Sequence, residues 1–158
     1  MHDTTVLVLV WSLPIAFSLH VFEEFALPGG LKQWIRAYKP GKPKGDFHYI
    51  FVNAIGFVVA LIIALKASDV SVYRIFLFFT ALMGANAVSH IRGTIQKKQY
   101  CPGTASGGLL LIPLFVISYW YFLSTGRADW NSALVCLIFG VVVGFYVMGV
   151  DIRKMDRR

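Results

Sequence analysis

Five runs of about 20 predominantly apolar residues fill most of this chain, near residues 5–27, 49–67, 70–91, 107–124 and 131–150. A bilayer core about 30 Å thick is crossed by a helix of about that length. The gaps between the runs are short and hydrophilic. With 57% apolar residues, 15% charged residues and a mean hydropathy of +0.65, a soluble domain of this size would have to expose much of its apolar surface. About a third of the area exposed by such an unfolded chain stays wet after folding. The sequence therefore predicts one all-α integral membrane domain over residues 1–158, a helical bundle with five transmembrane helices.

Charge assigns the sides. Lys32, Arg36, Lys39, Lys42, Lys44, Arg92, Lys97, Lys98, Arg153, Lys154, Arg157 and Arg158 fall in alternate gaps and the tail, whereas Lys66, Arg74 and Arg127 occupy the others. Twelve against three predicts the N-terminus outside and the C-terminus in the cytoplasm, because short loops rich in Lys and Arg stay inside. The same pattern sets aside nucleic acid as a partner, since the bases flank apolar runs instead of forming a patch. No Lys or Arg precedes the first run and no A-x-A site interrupts it, so it is expected to be a helix of the mature protein. The gap from Pro28 to Phe47 carries Leu31, Trp34, Ile35 and Tyr38 among its bases. It reads either as a short interfacial helix on anionic headgroups or as an ordered loop.

Other features concern packing. Pro14 and Pro113 lie inside runs and are expected to kink them. Gly140 and Gly144 form a GxxxG pair, read as internal packing more than as a dimer contact, and oligomeric state stays open. Tyr119, Trp120 and Tyr121 suit an aromatic belt at the outer interface. Cys101 and Cys136 form neither a disulfide framework nor a CxxC motif. Five spans do not divide into equal inverted halves, which counts against a common carrier design.

Chemistry concentrates in the ionisable residues of the runs. The only two glutamates, Glu23 and Glu24, sit inside the first run, where a charge near the helix centre costs roughly 2.5–3.5 kcal/mol on insertion scales. His20 precedes them at i−3 and i−4, one turn away. Asn86 and His90 share a face in the third run at i, i+4, with Ser89 and Arg92 beyond. His48 and Asn53 open the second run. Alternating helix direction puts all of these at one depth, the cytoplasmic half, and unpaired polar groups facing lipid are costly. An inward-facing cluster is expected.

The segments HVFEEF, NAVSH and YCPGTASG, in this order and spacing, resemble the HXXEE-domain family of small bacterial integral membrane proteins. The resemblance runs from His20 to about Gly108. It implies a bacterial inner-membrane location and marks His20, Glu23, Glu24, Asn86 and His90 as functional candidates, with Tyr100, Pro102 and Gly103 as a further motif. The family's activity is undefined, with metal binding and catalysis suggested by its motif.

Two imidazoles and two carboxylates make a ligand set for Zn²⁺, Fe²⁺ or Mn²⁺, so His20, Glu23, Glu24 and His90 are the expected metal ligands. Glu23, Glu24 and His90 double as catalytic acid/base groups, and Asn53 and Asn86 orient them by hydrogen bonds. Arg92, more simply a loop anchor, is the weaker candidate for a substrate phosphate. The expected function is a metal-assisted enzyme acting on a small lipophilic or amphipathic substrate, with membrane lipid as partner. The alternatives are a metal-free acid/base isomerase or cyclase, a proton-coupled carrier, an assembly protein, or a buried polar network that fixes helix register. The Tyr100–Gly103 turn reads most simply as the start of the fourth helix, the alternative being Cys101 as a nucleophile beside His90. Whether His48 joins the site is open. Gln at position 23 or 24 is expected to leave stability nearly intact while removing function.

Overall fold

The computed structural model describes residues 3–26, 30–38 and 45–147. Every regular element among them is helical: α1 (Thr4–Ala26), α2 (Gly30–Tyr38), α3 (Asp46–Leu65), α4 (Tyr73–Lys97), α5 (Thr104–Ser106), α6 (Ile112–Ser124) and α7 (Trp130–Val147). A π-helical segment, Gly107–Leu111, joins α5 to α6 in one rod, and a 3₁₀ turn, Val70–Val72, leads into α4.

Four helical stretches are long and apolar enough to cross a membrane: Thr4–Ala26, Phe47–Leu65, Val70–Lys97 and Thr104–Ser124. The fifth expected span is the shorter apolar helix α7. Of the predicted span ends, Leu27 and Met148 to Val150 lie outside the described residues, as do Lys39, Lys42, Lys44 and the basic tail from Arg153 to Arg158.

The boundaries differ where hydrophilic residues continue a helix. Helix α3 begins at Asp46, so His48 is helical, and α4 runs past Ile91 to Lys97, carrying Arg92 in its last turns. Side chains such as Arg92, Gln96 and Lys97 are good helix formers, and the stop comes only at Lys98, whose φ of 52° is left-handed. The gap after α1 contains the helix α2, with Leu31 and Trp34 buried.

Helix α4 is the most buried of the four long stretches. It packs against α7 and against the rod, while α1 lies along α3. One core joins Val10, Leu13 and Phe17 of α1 to Phe76 and Leu77 of α4 and to Leu111 and Phe122 of the rod. A Cβ on Gly140 would stand 2.6 Å from the Phe78 carbonyl oxygen, and one on Gly144 2.7 Å from that of Leu82. The GxxxG pair thus lets α7 lie directly on the α4 backbone. On the outer surface Phe22, Phe25, Phe51, Ile55, Leu134 and Phe139 are exposed, a pattern compatible with a membrane protein.

The N-terminal end is tied across the bundle. Asp3 accepts from the amides of Thr5 and Val6, from the Tyr121 hydroxyl at 2.6 Å and from the Arg127 guanidinium. The Tyr121 bond leads in holding its carboxyl down at about 2. At the opposite end α1 finishes, α4 finishes and the rod begins, and these three chain segments build the polar cluster.

Candidate metal centre

His20 and Glu24 occupy successive turns of α1 at i, i+4, which puts them on one face. Helix α4 contributes Asn86 and His90 by the same spacing. His20, Glu24 and His90 are only 1%, 4% and 1% exposed, and one ligand atom from each lies within 4.8 Å of the others. Glu24 Oε1 is the hub, 2.9 Å from His90 Nε2 and 3.5 Å from His20 Nε2. The two imidazoles meet edge to face, with centroids 5.1 Å apart.

The distal nitrogens have partners of their own. His20 Nδ1 is 2.9 Å from Ser106 Oγ, and His90 Nδ1 is 3.4 Å from Cys101 Sγ. Both Nε2 atoms are thereby left toward the glutamate. His90 Nε2 makes the closer of the two approaches to the carboxylate, at 2.9 Å. Asn86 Nδ2 stands 3.0 Å from His20 Nε2, while Asn86 Oδ1 is buried without a hydrogen-bond partner.

Glu23, expected as a ligand, is placed elsewhere. Its Oε1 accepts from Gly103 N at 2.8 Å, Ala105 N at 3.1 Å and the Tyr100 hydroxyl, and its Oε2 accepts from Ser106 N at 2.7 Å. A carboxylate at the start of a helix satisfies amides that have no intrahelical acceptor. Burial, followed by the bond to Glu23, pushes the Tyr100 phenol up to about 12, so it remains a protonated donor at neutral pH. Thr94 Oγ1 takes the Cys101 amide at 2.9 Å and meets Thr104 Oγ1 at 2.7 Å, which fastens the turn to α4.

Held this way, the 100–106 turn becomes a lid on the imidazoles. Gly103 has φ 97°, and a Cβ there would stand 2.8 Å from both His20 Cε1 and His90 Nδ1. Only glycine meets both the dihedral and the clearance. Behind it, Cys101 is buried with Leu31 and Trp34 of α2, and Trp34 lies against Gly93.

The remaining candidates are set apart. Asn53 donates to Tyr49 O of its own helix at 3.0 Å and lines an apolar groove of about 610 Å³ between α1 and α3, with Phe17, Val21, Phe25 and Phe57. Its expected orienting role therefore has no counterpart in the geometry. His48 meets Tyr49 edge to face, with ring centroids 5.7 Å apart, and is likewise outside the triad. Arg92 turns to Gln96, whose oxygen, with the amide oriented to suit, accepts from Arg92 Nε at 2.9 Å. Ser106 was missed by the sequence reading. Its only signal was being a hydroxyl in a stretch that otherwise reads as small residues opening a helix.

Comparison with known proteins identifies the family. No solved structure matches the chain. The chain is similar to the uncharacterized protein YrkK of Bacillus subtilis (strain 168), at 27% identity over 134 residues that cover 81% of this chain and 84% of the relative. A family model described as protein of unknown function with HXXEE motif matches residues 11–121. That match covers more than half of the chain, the positions of His20, Glu23, Glu24, Asn86 and His90 included, so this chain belongs to the HXXEE-motif family.

Proposed function

We propose that this protein is a membrane-embedded, metal-assisted enzyme whose ion is held by His20, Glu24 and His90, acting on a small lipophilic or amphipathic substrate. The observation that carries the reading is the buried convergence of His20, Glu24 and His90, with one ligand atom from each within 4.8 Å of the others. Donor atoms arranged around a shared point lie side by side. Ligands about 2.0–2.1 Å from a tetrahedral ion stand roughly 3.3 Å apart, and the two contacts to Glu24 bracket that value.

Two imidazoles and one carboxylate form a set used by catalytic zinc, with a further position for water or substrate. Fe²⁺ and Mn²⁺ accept the same donors. A bound ion would supply Lewis acidity and lower the pKa of a water in that position. The protein's share is orientation: Ser106 and Cys101 fix the imidazoles through their distal nitrogens, and the Gly103 lid excludes water from that side. Glu23 then acts as a positioning residue that builds the lid, while Glu24 is the carboxylate within reach of reacting atoms.

In this reading the bundle crosses the membrane five times, N-out and C-in, with α7 as the fifth span in a bacterial inner membrane. The cluster then lies in the cytoplasmic leaflet, where a lipophilic substrate can arrive from the bilayer and a polar product can leave to water. The groove between α1 and α3 offers apolar surface of a suitable kind beside the site helix. Metal analysis of the protein purified in detergent without added chelator tests the reading. Stoichiometric Zn, Fe or Mn is expected in the wild type, with at least about a tenfold loss in His20→Ala and Glu24→Gln. A wild type that neither carries nor takes up these ions would favour the metal-free acid/base or carrier reading.

A further inference from the structure

We infer that Asn86 is a fourth, displaceable ligand of the centre, its amide turning over when a cation binds; the inference rests on the metal-centre reading above. Asn86 is 9% exposed and lies one turn before His90 on α4. Its two amide atoms have opposite situations. Nδ2 is 3.0 Å from His20 Nε2, whereas Oδ1 is buried with no hydrogen-bond partner.

An amide nitrogen only donates, so its contact with Nε2 uses the imidazole lone pair, and the ring proton sits on Nδ1 toward Ser106. A cation needs that same lone pair. Once it binds, the amide hydrogens face a positive charge, and the buried carbonyl oxygen still has nothing to accept. Turning the amide resolves both conflicts. Its two ends are nearly equal in size, so Oδ1 comes to the place Nδ2 now holds, 3.0 Å from His20 Nε2. That is close to the roughly 3.3 Å between neighbouring ligands of a tetrahedral ion.

The donor set becomes two imidazole nitrogens, one carboxylate oxygen and one amide oxygen. The amide is the neutral oxygen donor among them, and weaker than imidazole toward Zn²⁺ or Fe²⁺. It is therefore the ligand that water or a substrate oxygen displaces. Asn86 thus keeps the reactive position filled in the resting protein and yields it without disturbing the other three donors.

Titration of the full chain in detergent with Co²⁺ tests this, because the visible bands of that ion change with the number and kind of its donors. Asn86→Ala is expected to weaken Co²⁺ binding about 10- to 100-fold and to shift the bands as water replaces the amide. Asn86→Asp places a charged oxygen at the same point and is expected to tighten binding by about tenfold or more, as added ligand charge does. Should Asn86→Ala fail to assemble, Asn86→Asp decides alone, and binding that is unchanged or weaker overturns the proposal. Unchanged affinity and bands in both variants remove Asn86 from the ligand set and leave the three-residue centre standing. Absence of Co²⁺ binding by the wild type overturns the centre and this inference together.

Discussion

Adjacent glutamates with identical chemistry receive different work here because 100° of helix rotation sends them to different neighbours. Glu24 faces two imidazoles, and Glu23 faces the amides that open the rod. Their isosteric variants should therefore part company. In Glu23→Gln one oxygen becomes an NH₂ group, and whichever end faces Ser106 N or the Gly103 and Ala105 amides, two donors oppose each other. Losing a buried hydrogen bond to a charged acceptor costs roughly 1.5–3 kcal/mol, so a clear fall in thermal unfolding midpoint is expected, with metal loss following as the lid loosens. Glu24→Gln keeps an oxygen near His90 Nε2 and removes a buried charge, so its midpoint should stay near that of the wild type while metal content falls. Equal midpoints for the two variants, or the reverse ranking, would undo this division of labour. The sequence alone treats the pair as equivalent, because HxxEE spacing shows that both carboxylates reach the imidazole's face but not which of them meets a second helix. His20, Glu24 and His90 were legible from i, i+4 spacing and from depth. Asn53, expected to orient the ligands, instead donates its amide to the Tyr49 carbonyl, and hydropathy carries no signal that distinguishes that from a role across the bundle.

Elements were legible to the extent that apolar length defines them. Helix α4 exceeds its apolar run by residues 92–97, because helix propensity continues through polar residues after the apolar run has ended. That overhang lets Thr94 reach the Cys101 amide and Thr104, fastening the lid to α4. The π-helical segment Gly107–Leu111 ends two positions before Pro113, where a ring without an N–H disturbs the usual hydrogen-bond ladder. The proline expected to kink the run thus follows a widened turn, a form often found near functional sites. The GxxxG pair of α7 is used inside the chain, with Gly140 and Gly144 seated on the carbonyls of Phe78 and Leu82. Gly140→Val would force α7 away from a backbone that cannot yield. Overpacking of this kind typically costs about 1–3 kcal/mol, so a lower unfolding midpoint is expected with an unchanged oligomeric state by size-exclusion light scattering in detergent. A variant that keeps its stability but changes oligomeric state would reassign the glycine pair to a contact between copies.

At the scale of the molecule, one end of the bundle gathers both the chemistry and most of the positive charge. The ends of α1 and α4 and the start of the rod lie there, with Lys32, Arg36, Arg92, Lys97 and Lys98 in the adjoining helices. The other end carries Lys66, Arg74 and Arg127, and there Arg74 is 3.8 Å from Asp129 while Arg127 pairs with Asp3. If short basic loops are retained in the cytoplasm, the site faces that side, and this is the expectation tested by reporters. A phosphatase reporter that works only outside the cytoplasm, fused after Arg158, should be silent, and a fluorescent reporter that matures only inside should be bright. Fused in the 66–72 turn, a reporter should show the opposite response. A single cysteine placed at position 98 gives an independent check, since a membrane-impermeant maleimide should label it in inverted vesicles and not in intact cells. If the labelling and the fusions both reverse, the cluster opens to the periplasmic side. Its substrate would then have to come from the outer leaflet, and the expectation that its product is released to the cytoplasm would be withdrawn.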